Sequence, residues 1–560
     1  MSKSNSKIRP DRIMALENEL ELVKSELAGL KLGRSFRIAK FLKELKSSKP
    51  KEFYQIIKSI PDLFKRYDPP EAKLNIVSDR KQYSSAHNSL PLLRYPNINV
   101  ATLGSISRAI FSDTCNGFEL GSGIFQNLMK YDSALQVVSI DASTYNQDMH
   151  QKYIVDCVKK GAIIVIIYET SESLNLIKQS IPKANTIFEI KLNTLMPFID
   201  IYNLNIFLPK TRINYSISNK LTGSNKDIFV LNVTSPEKIS WQKKCKINRY
   251  VATGGLILLK GRKRPVWLSK EIRLCKNDQE IEENRKTLCI DYNAEQYAVK
   301  CSRNTILNFN TLNVSEEILY KNNIIIEKAK KPSIGVIAST RRPNNVVGLL
   351  NQIEKQSFPV EEIALLLHGA SEQEYEKIKK DIKKYKSLNI ILKRIDSSIM
   401  FGDVLNIGLD MLSTDLITKM DDDDFYLPNH ILDLYTAHLH SCADFVGKWN
   451  NWVFIESENK TINWVPENSN QYVKHLPGAT FLVKRDILKN LRFGKVPRAI
   501  DSELYRRAEK RGAILYSTHR YNFVRKRGDD HTYDAKSSSF KSRAHKIEFN
   551  GLDLENKLSA

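Results

Sequence analysis

From Ser333 onward the sequence alternates between two kinds of segment at a regular interval, and this alternation leaves few folds open. SIGVIAS reads as a strand, TRRPNN as the turn that ends it, VVGLLNQIEKQ as an amphipathic helix and EEIALLLHG as a second strand. SEQEYEKIKKDIKKYK reads as a charged helix and NIILKRID as a third strand. FGDVLNIGLDMLST is then a helix, and DLITKM a strand that runs directly into Asp421. Strands about 30 residues apart with helices between them predict a doubly wound α/β domain. Ligands of such domains lie beyond the carboxyl ends of the strands.

The stretch at that end is KMDDDDFYLP, residues 419–428. Four adjacent carboxylates repel one another unless a cation or water relieves them. Side chains alternate along an extended chain, so Asp421 and Asp423 face one way while Asp422 and Asp424 face the other. A D-x-D pair on one face offers hard oxygen ligands to Mg²⁺ or Mn²⁺, ions that keep positions open for water or substrate phosphate. The plainer alternative, an acidic cluster favoured by a helix macrodipole, needs one or two acids rather than four. An EF-hand loop fails because the required glycine and the downstream glutamate spacing are missing. Pro428 is expected in the first turn of the helix NHILDLYTAHLH.

At 560 residues, with 42% hydrophobic and 27% charged residues, the chain is expected to form two or three folded domains. The longest apolar run, AIIVIIY at 162–168, suits a buried strand and is too short to span a bilayer. Seven scattered cysteines suit reduced thiols better than a disulfide framework or a zinc site, and point to a cytoplasmic protein. The net charge of +23 calls for an anionic partner. Nucleic acid is disfavoured, since no zinc-finger spacing, RNP motif or isolated basic helix is present. Phosphorylated substrates or an anionic membrane surface remain.

The N-terminal 1–66 reads as helical. Ile13, Leu16, Leu20, Val23, Leu27 and Leu30 form a heptad seam, which is either a short coiled coil for self-association or a helix docked on the body. Residues 31–66 carry eleven Lys/Arg against three Asp/Glu with apolar residues interleaved, a composition suited to peripheral membrane contact or to a solvated helix face. Residues 67–93 read as a linker. From 94 to 330, INVATLG, ALQVVSID, YIVDCVKKG and AIIVIIYE predict a Rossmann-like α/β domain, which resumes at YVATGGLILLKG. Residues 331–535 form the next domain and 536–560 a tail.

Residues 333–530 resemble a family 2 glycosyltransferase of the GT-A fold, and more closely the bacterial surface-polysaccharide members. The resemblance rests on SIGVIASTRRP, on GDVLNIGLDMLSTDLITKMDDDD, on PGATFLVKRD followed by AIDSELYRRA, and on VGKW (446–449) with a C-terminal YNFVRKR. It implies a nucleotide-sugar donor whose diphosphate meets Mn²⁺ or Mg²⁺ held by Asp421 and Asp423, with Asp424 supporting. Thr340 and Arg341 match the loop that touches the nucleotide. Asp501 matches the acceptor-side base, giving inversion at the anomeric carbon; a helix N-cap is its structural alternative. Gly478 and Ala479 fall on the acceptor side. Lys448, Trp449 and Trp452 either line the acceptor pocket or, for the tryptophans, belong to the core. His531 in GDDHTY matches a possible third metal ligand.

Two positions depart from the family pattern. Ile500 stands where an acid commonly precedes the base, and the second strand ends in His368-Gly369 rather than in a nucleotide-binding aspartate. Residues 240–312 faintly resemble the C-terminal half of GT-B glycosyltransferases related to spore-maturation proteins, but no glutamate lies near Gly254-Gly255. That pair either lets a backbone approach a phosphate or makes a tight turn into a strand.

The function expected is metal-dependent transfer of a sugar to a glycan or lipid-linked acceptor, at the cytoplasmic face of the cell membrane. A noncatalytic sugar- or nucleotide-binding scaffold has no use for a positioned base. A nucleotidyltransferase would ordinarily carry a glycine-rich loop, and ASTRRPNN has no glycine.

Overall fold

The structure, a computed structural model, describes residues 95–111, 115–120, 137–181, 187–199, 228–233, 239–290, 293–325, 327–465, 468–528 and 544–560. The heptad, the basic segment, the linker and His531 lie outside the described residues. The chain divides into two compact units, 1–85 and 86–560, and every described residue belongs to the second.

The first part of this unit contains β1 (Tyr95–Leu103), α1 (Ser105–Phe111), β2 (Cys115–Glu119), β3 (Val137–Asp141), α2 (Gln147–Lys159), β4 (Ile163–Tyr168), α3 (Ser171–Ser180) and β5 (Ile187–Lys191). Its sheet is wholly parallel, in the order β2-β1-β3-β4-β5. The apolar run at 162–168 becomes β4, buried from Ile164 to Ile167 with helices available to cover both faces, as a central parallel strand requires. Asn146 and Thr170 cap α2 and α3 by accepting from Met149 N–H and Ser173 N–H.

A second parallel sheet follows, β6 (Ile228–Asn232), β7 (Leu256–Lys260) and β8 (Leu274–Cys275), with α4 (Trp241–Ala252) between the first two strands. The described residues of 94–330 therefore form two separate parallel sheets. After β8 come α5 (Asp278–Leu288), α6 (Asn293–Asn308) and α7 (Thr311–Lys321). α7 returns to the first sheet, where Val314, Ile318 and Leu319 share a core with Val100, Val137 and Val165. The glycine pair is the turn from α4 into β7. Gly254 has φ +96°, and a Cβ on Gly255 would strike the Tyr250 ring.

The remaining elements are β9 (Ile334–Thr340), α8 (Val346–Glu354), β10 (Glu362–His368), α9 (Glu372–Asp381), β11 (Ile390–Ile395), α10 (Phe401–Asp410) and β12 (Leu416–Lys419). Then follow β13 (Phe425–Tyr426), α11 (His430–Ser441), β14 (Phe445–Gly447), β15 (Asn451–Ile455), β16 (Lys460–Trp464), β17 (Gln471–Val473), β18 (Leu482–Lys484), α12 (Arg485–Leu491), α13 (Ile500–Lys510), β19 (Leu515–Ser517), β20 (Phe523–Arg527) and β21 (Ala544–Asn550). The main sheet runs β11-β10-β9-β12-β18-β14-β19-β17. Its first four strands are parallel and end at the same edge. Buried residues cover both faces, Leu349, Leu350 and Ile353 on one side and Val404, Leu405 and Leu409 on the other. β13-β20-β15-β16-β21 form a smaller sheet.

Pro428 lies outside the helix it was expected to begin. Asn429 is the cap and α11 starts at His430, while the Pro428 carbonyl accepts from Ser357 N–H at 2.7 Å.

Candidate functional site

The register of the main sheet decides where the aspartates fall. Lys419 of β12 lies opposite Ile337 of β9, so three residues further on Asp422 comes level with Thr340. The Thr340 hydroxyl donates to Asp422 Oδ2 at 2.6 Å, and Arg342 grips the same carboxylate through Nε (3.0 Å) and a terminal nitrogen (2.6 Å). Asn345 adds a donor at 3.3 Å. Asp422 is thus a buried anchor that fixes the acidic turn to the first-strand loop.

The other carboxylates are held differently. Asp421 Oδ1 is 2.5 Å from the Lys419 ammonium, and Asp423 Oδ2 is 2.8 Å from Arg342. Both are partly open, with side chains 29% and 17% exposed, against 4% for Asp422. Asp424 is buried and accepts from Lys526 N–H at 3.0 Å. Burial, together with the negative charge of Asp423, pushes its carboxyl up to about 8 against the pull of Arg525. Asp422 and Asp424 are enclosed and Asp421 and Asp423 more open, but the run turns instead of extending, and one Arg342 nitrogen meets both Asp422 (2.6 Å) and Asp423 (2.8 Å), so these neighbours do not face opposite ways as expected.

Tyr426 ties this turn to the opposite side of the site. Its phenol oxygen accepts from Asp421 N–H at 2.7 Å and donates to the Ala479 carbonyl at 3.1 Å. Its own N–H donates to Gln352 Oε1 at 2.5 Å. The Pro477–Thr480 turn next to Ala479 meets Asp501. The carboxyl of Asp501 accepts from Gly478 N–H, and a Cβ at Gly478 would collide with that carboxyl, so the position requires glycine. Asp501 is the second residue of α13 and does not cap it. Ala499, at φ +55°, occupies the cap position.

Lys419 links the two halves electrostatically. It is buried; burial disfavours its charge, but Asp421, Asp501 and Asp424 outweigh that and raise it above the usual lysine value. Burial raises Asp501 above the ordinary aspartate range, with Lys419 opposing the shift and Asp421 adding to it. Asp501 is therefore a carboxylate of increased basicity beside a buried ammonium, suited to accept a proton.

Thr340 and Arg341 reach the site edge, but each has a scaffold contact. Thr340 holds Asp422, and Arg341 Nε lies 3.3 Å from His368 Nδ1 at the end of β10. The buried His368 is lowered by burial and by Arg341. Lys448 is a correction. It is fully buried and its ammonium meets Asp433 at 3.1 Å and the His519 carbonyl at 3.2 Å, so it is withheld from any acceptor. Trp452 is likewise core, with Arg520 over its ring. Trp449 stays partly open, edge-on to His475 with centroids 5.5 Å apart, and His475 contacts Tyr505 one turn beyond Asp501. Sequence reasoning overlooked Arg342, Lys419 and Tyr426. The charge and position of the first two, flanking TRRP and MDDDD, were signals for pairing; Tyr426 carried none.

The donor set fits a divalent ion. Asp421 and Asp423 present hard oxygens from one turn, opposed by Lys419 and Arg342. Among the described residues no group of three His, Cys, Asp or Glu side chains is arranged to hold a metal.

Residues 333–497 match the family model described as glycosyl transferase family 2. No curated protein matches the chain. Among solved structures it is similar to the mannosyltransferase PcManGT from Pyrobaculum calidifontis in complex with GDP-Man and Mn²⁺, at 13% identity and TM-score 0.31, over 36% of this chain and 59% of that one. It is also similar to S. aureus TarS 1-349 in complex with UDP-GlcNAc, at 15% identity and TM-score 0.29, over 38% of this chain and 64% of that one. The chain spans about three fifths of the length of these structures. Residues 333–497 are a glycosyl transferase family 2 domain.

Proposed function

We propose that this protein is a metal-dependent, inverting glycosyltransferase that moves a sugar from a nucleotide-sugar donor to a glycan or lipid-linked acceptor in surface polysaccharide synthesis. One observation supports this most: a pair of partly open carboxylates and a half-buried, raised carboxyl stand on opposite sides of one site, joined through Lys419 and Tyr426.

Asp421 and Asp423 would hold Mn²⁺ or Mg²⁺, which supplies charge stabilisation for the departing diphosphate. Asp422, gripped by Thr340 and Arg342, keeps these two carboxylates aimed outward. Arg342 and Lys419 bring positive charge to the same place and favour an anionic donor. Asp501 accepts the proton of the attacking hydroxyl, its carboxyl positioned by Gly478 N–H. The partly open Trp449 offers an aromatic face for a sugar ring on the acceptor side. Among the described residues no helix is long and apolar enough to cross a membrane, and a lipid-linked acceptor would then be met by peripheral contact at the cytoplasmic face.

The test is nucleotide release from a panel of nucleotide sugars, with and without Mn²⁺, for the wild type and Asp423→Asn. Mn²⁺-dependent release that falls by about 10²- to 10³-fold in the variant is expected from loss of a group stabilising the leaving diphosphate. Folded protein that neither binds nor cleaves any donor would sink the enzymatic reading. Formation of a nucleotide sugar from a sugar phosphate would replace it with nucleotidyl transfer.

A further inference from the structure

The second parallel sheet carries a concentration of positive charge that the transferase site does not use. Between 240 and 276 there are eleven Lys/Arg residues and a single acid, Glu271. α4 follows β6 and returns toward the start of β7, so its first turn and the loop after β7 both lie at the carboxyl edge of the sheet. Two contacts fasten them together. The Lys244 ammonium sits 5.7 Å from the Trp267 ring centroid, and Asn248 Nδ2 donates to the Trp267 carbonyl at 3.0 Å. Trp267 is buried, as are Leu268 and Ser269 after it, while Val266 just before it is turned outward.

The exposed side chains of this edge are Lys243 and Lys246 on α4, and Arg262, Lys263 and Lys270 in the loop. Among the described residues none of these five has an acidic side chain at ion-pair distance, in contrast to Lys260, which meets Asp278 at 2.7 Å. Between them stands Val266. At 80% exposed it is the most exposed large hydrophobic side chain among the described residues, and it lies between Pro265 and the anchored Trp267. A surface for a soluble polyanion needs cations and gains nothing from an apolar tip. Exposed cations on the same edge as an exposed apolar side chain suit a surface that is negatively charged outside and apolar just beneath.

We infer that the α4–β7 edge, with Lys243, Lys246, Arg262, Lys263 and Lys270 around Val266, is a docking surface for an anionic lipid bilayer. The basic side chains meet headgroup phosphates, and Val266 enters the headgroup–acyl boundary. This rests on the reading that the acceptor is met at a membrane, and it places that contact on the folded body of the protein instead of the segment 31–66.

The test is co-sedimentation of the full chain with phosphatidylcholine vesicles, with and without phosphatidylglycerol. Wild type is compared with R262E/K263E, with Val266→Asp, and with R34E/R37E in the N-terminal basic segment. Each basic residue near an anionic surface is worth about fivefold in affinity, so R262E/K263E should weaken binding by on the order of 20-fold or more. Val266→Asp should weaken it too, and its effect should persist at raised salt, where charge effects fade. Equal binding by wild type and R262E/K263E, with loss only in R34E/R37E, would overturn the assignment. So would tighter binding to inorganic polyphosphate than to vesicles with no effect of Val266→Asp, which would indicate a soluble polyanion. Thermal unfolding confirms that each variant is folded. Nucleotide release measured without vesicles should be unchanged in R262E/K263E, so failure of the docking surface and failure of the transferase reading give different results.

Discussion

Two acidic sites lie close together in the chain, one wholly buried and one partly open, and they are built to opposite ends. Asp433, on α11, is fully buried, and Arg303 (2.7 Å), Lys448 (3.1 Å), Asn522 (2.7 Å) and His519 (3.4 Å) surround it. Burial alone would raise its carboxyl, but Lys448, His519 and Arg303 overcome that and hold it well below the usual aspartate range. Arg303 comes from α6, so the cluster also joins the second sheet's helices to the transferase domain, as does the buried Arg520–Glu295 pair. In the run 421–424, by contrast, four carboxylates share Lys419, Arg342 and the more distant Arg525. Asp424 is pushed up and Asp501 beside the run is raised. A carboxylate enclosed by the fold's own cations is fully compensated without an added ion. A cluster left short of positive charge is poised for a cation from outside.

The same substitution should therefore have opposite consequences in the two places. Asp501→Asn is expected to lower turnover by about 10²- to 10⁴-fold, the span for losing a general base. It should leave stability unchanged or slightly improved. A carboxyl raised on folding favours the protonated form, so its ionised state opposes folding above its raised value, and a neutral amide removes that opposition. The acid limb of kcat/KM, set where Asp501 loses its proton, should vanish in this variant. Asp433→Asn reverses the pattern. Leaving Arg303 and Lys448 buried without their anion should cost about 3–5 kcal/mol, read as a shifted denaturant midpoint, while donor cleavage per folded molecule is largely kept. Equal stability loss in both variants would erase the distinction.

A pH scan sharpens the same contrast. Burial, with Asp433 opposing and Lys448 reinforcing, lowers His519 to about 4. An unfolded histidine titrates near 6.5, so between roughly 6.5 and 4 the unfolded chain binds the additional proton and stability falls as pH falls. The loss over that window should reach about 3 kcal/mol for a shift of this size. His519→Gln should flatten this part of the stability profile. An unchanged profile would mean that His519 binds its proton equally well in the folded and unfolded chains.

How much of this was legible follows from which signals are local. The parallel half of the transferase sheet was readable because each strand and helix between 333 and 419 has its own period, and the observed bounds differ from the expected ones by few residues. The arrangement of the aspartates was readable only in part, because the run 421–424 turns where an extended segment was expected. The antiparallel half was not, since β14, β17, β18 and β19 are three residues each, too short for any period to show. Lys448 and Trp449 are neighbours with opposite fates. Lys448 turns toward Asp433 of α11, whose other side-chain contacts come from α6 and the chain around 519–522, and no spacing announces such a meeting. The glycine pair at 254–255 had two readings, and the φ of one glycine with the Tyr250 ring above the other favours the turn. The division of 94–330 into two sheets was hidden because both halves alternate alike.

The smallest effect belongs to the contact that joins the two sides of the site. Gly478→Ala changes no charge and removes no functional group, yet the added Cβ falls on the Asp501 carboxyl. Either the Pro477–Thr480 turn moves, carrying the Ala479 carbonyl away from Tyr426 and loosening the acidic turn, or Asp501 swings away from its acceptor. Both displacements are a fraction of the distance that costs about 100-fold in a positioned reaction, so turnover should fall by roughly tenfold. Because Asp421 and Asp423 keep their own partners, Mn²⁺ dependence should be retained, and KM for the donor should move little if Asp501 is what yields. A raised donor KM with unchanged kcat would show instead that the strain passes through Tyr426 into the acidic turn, and that the two sides of the site are mechanically one.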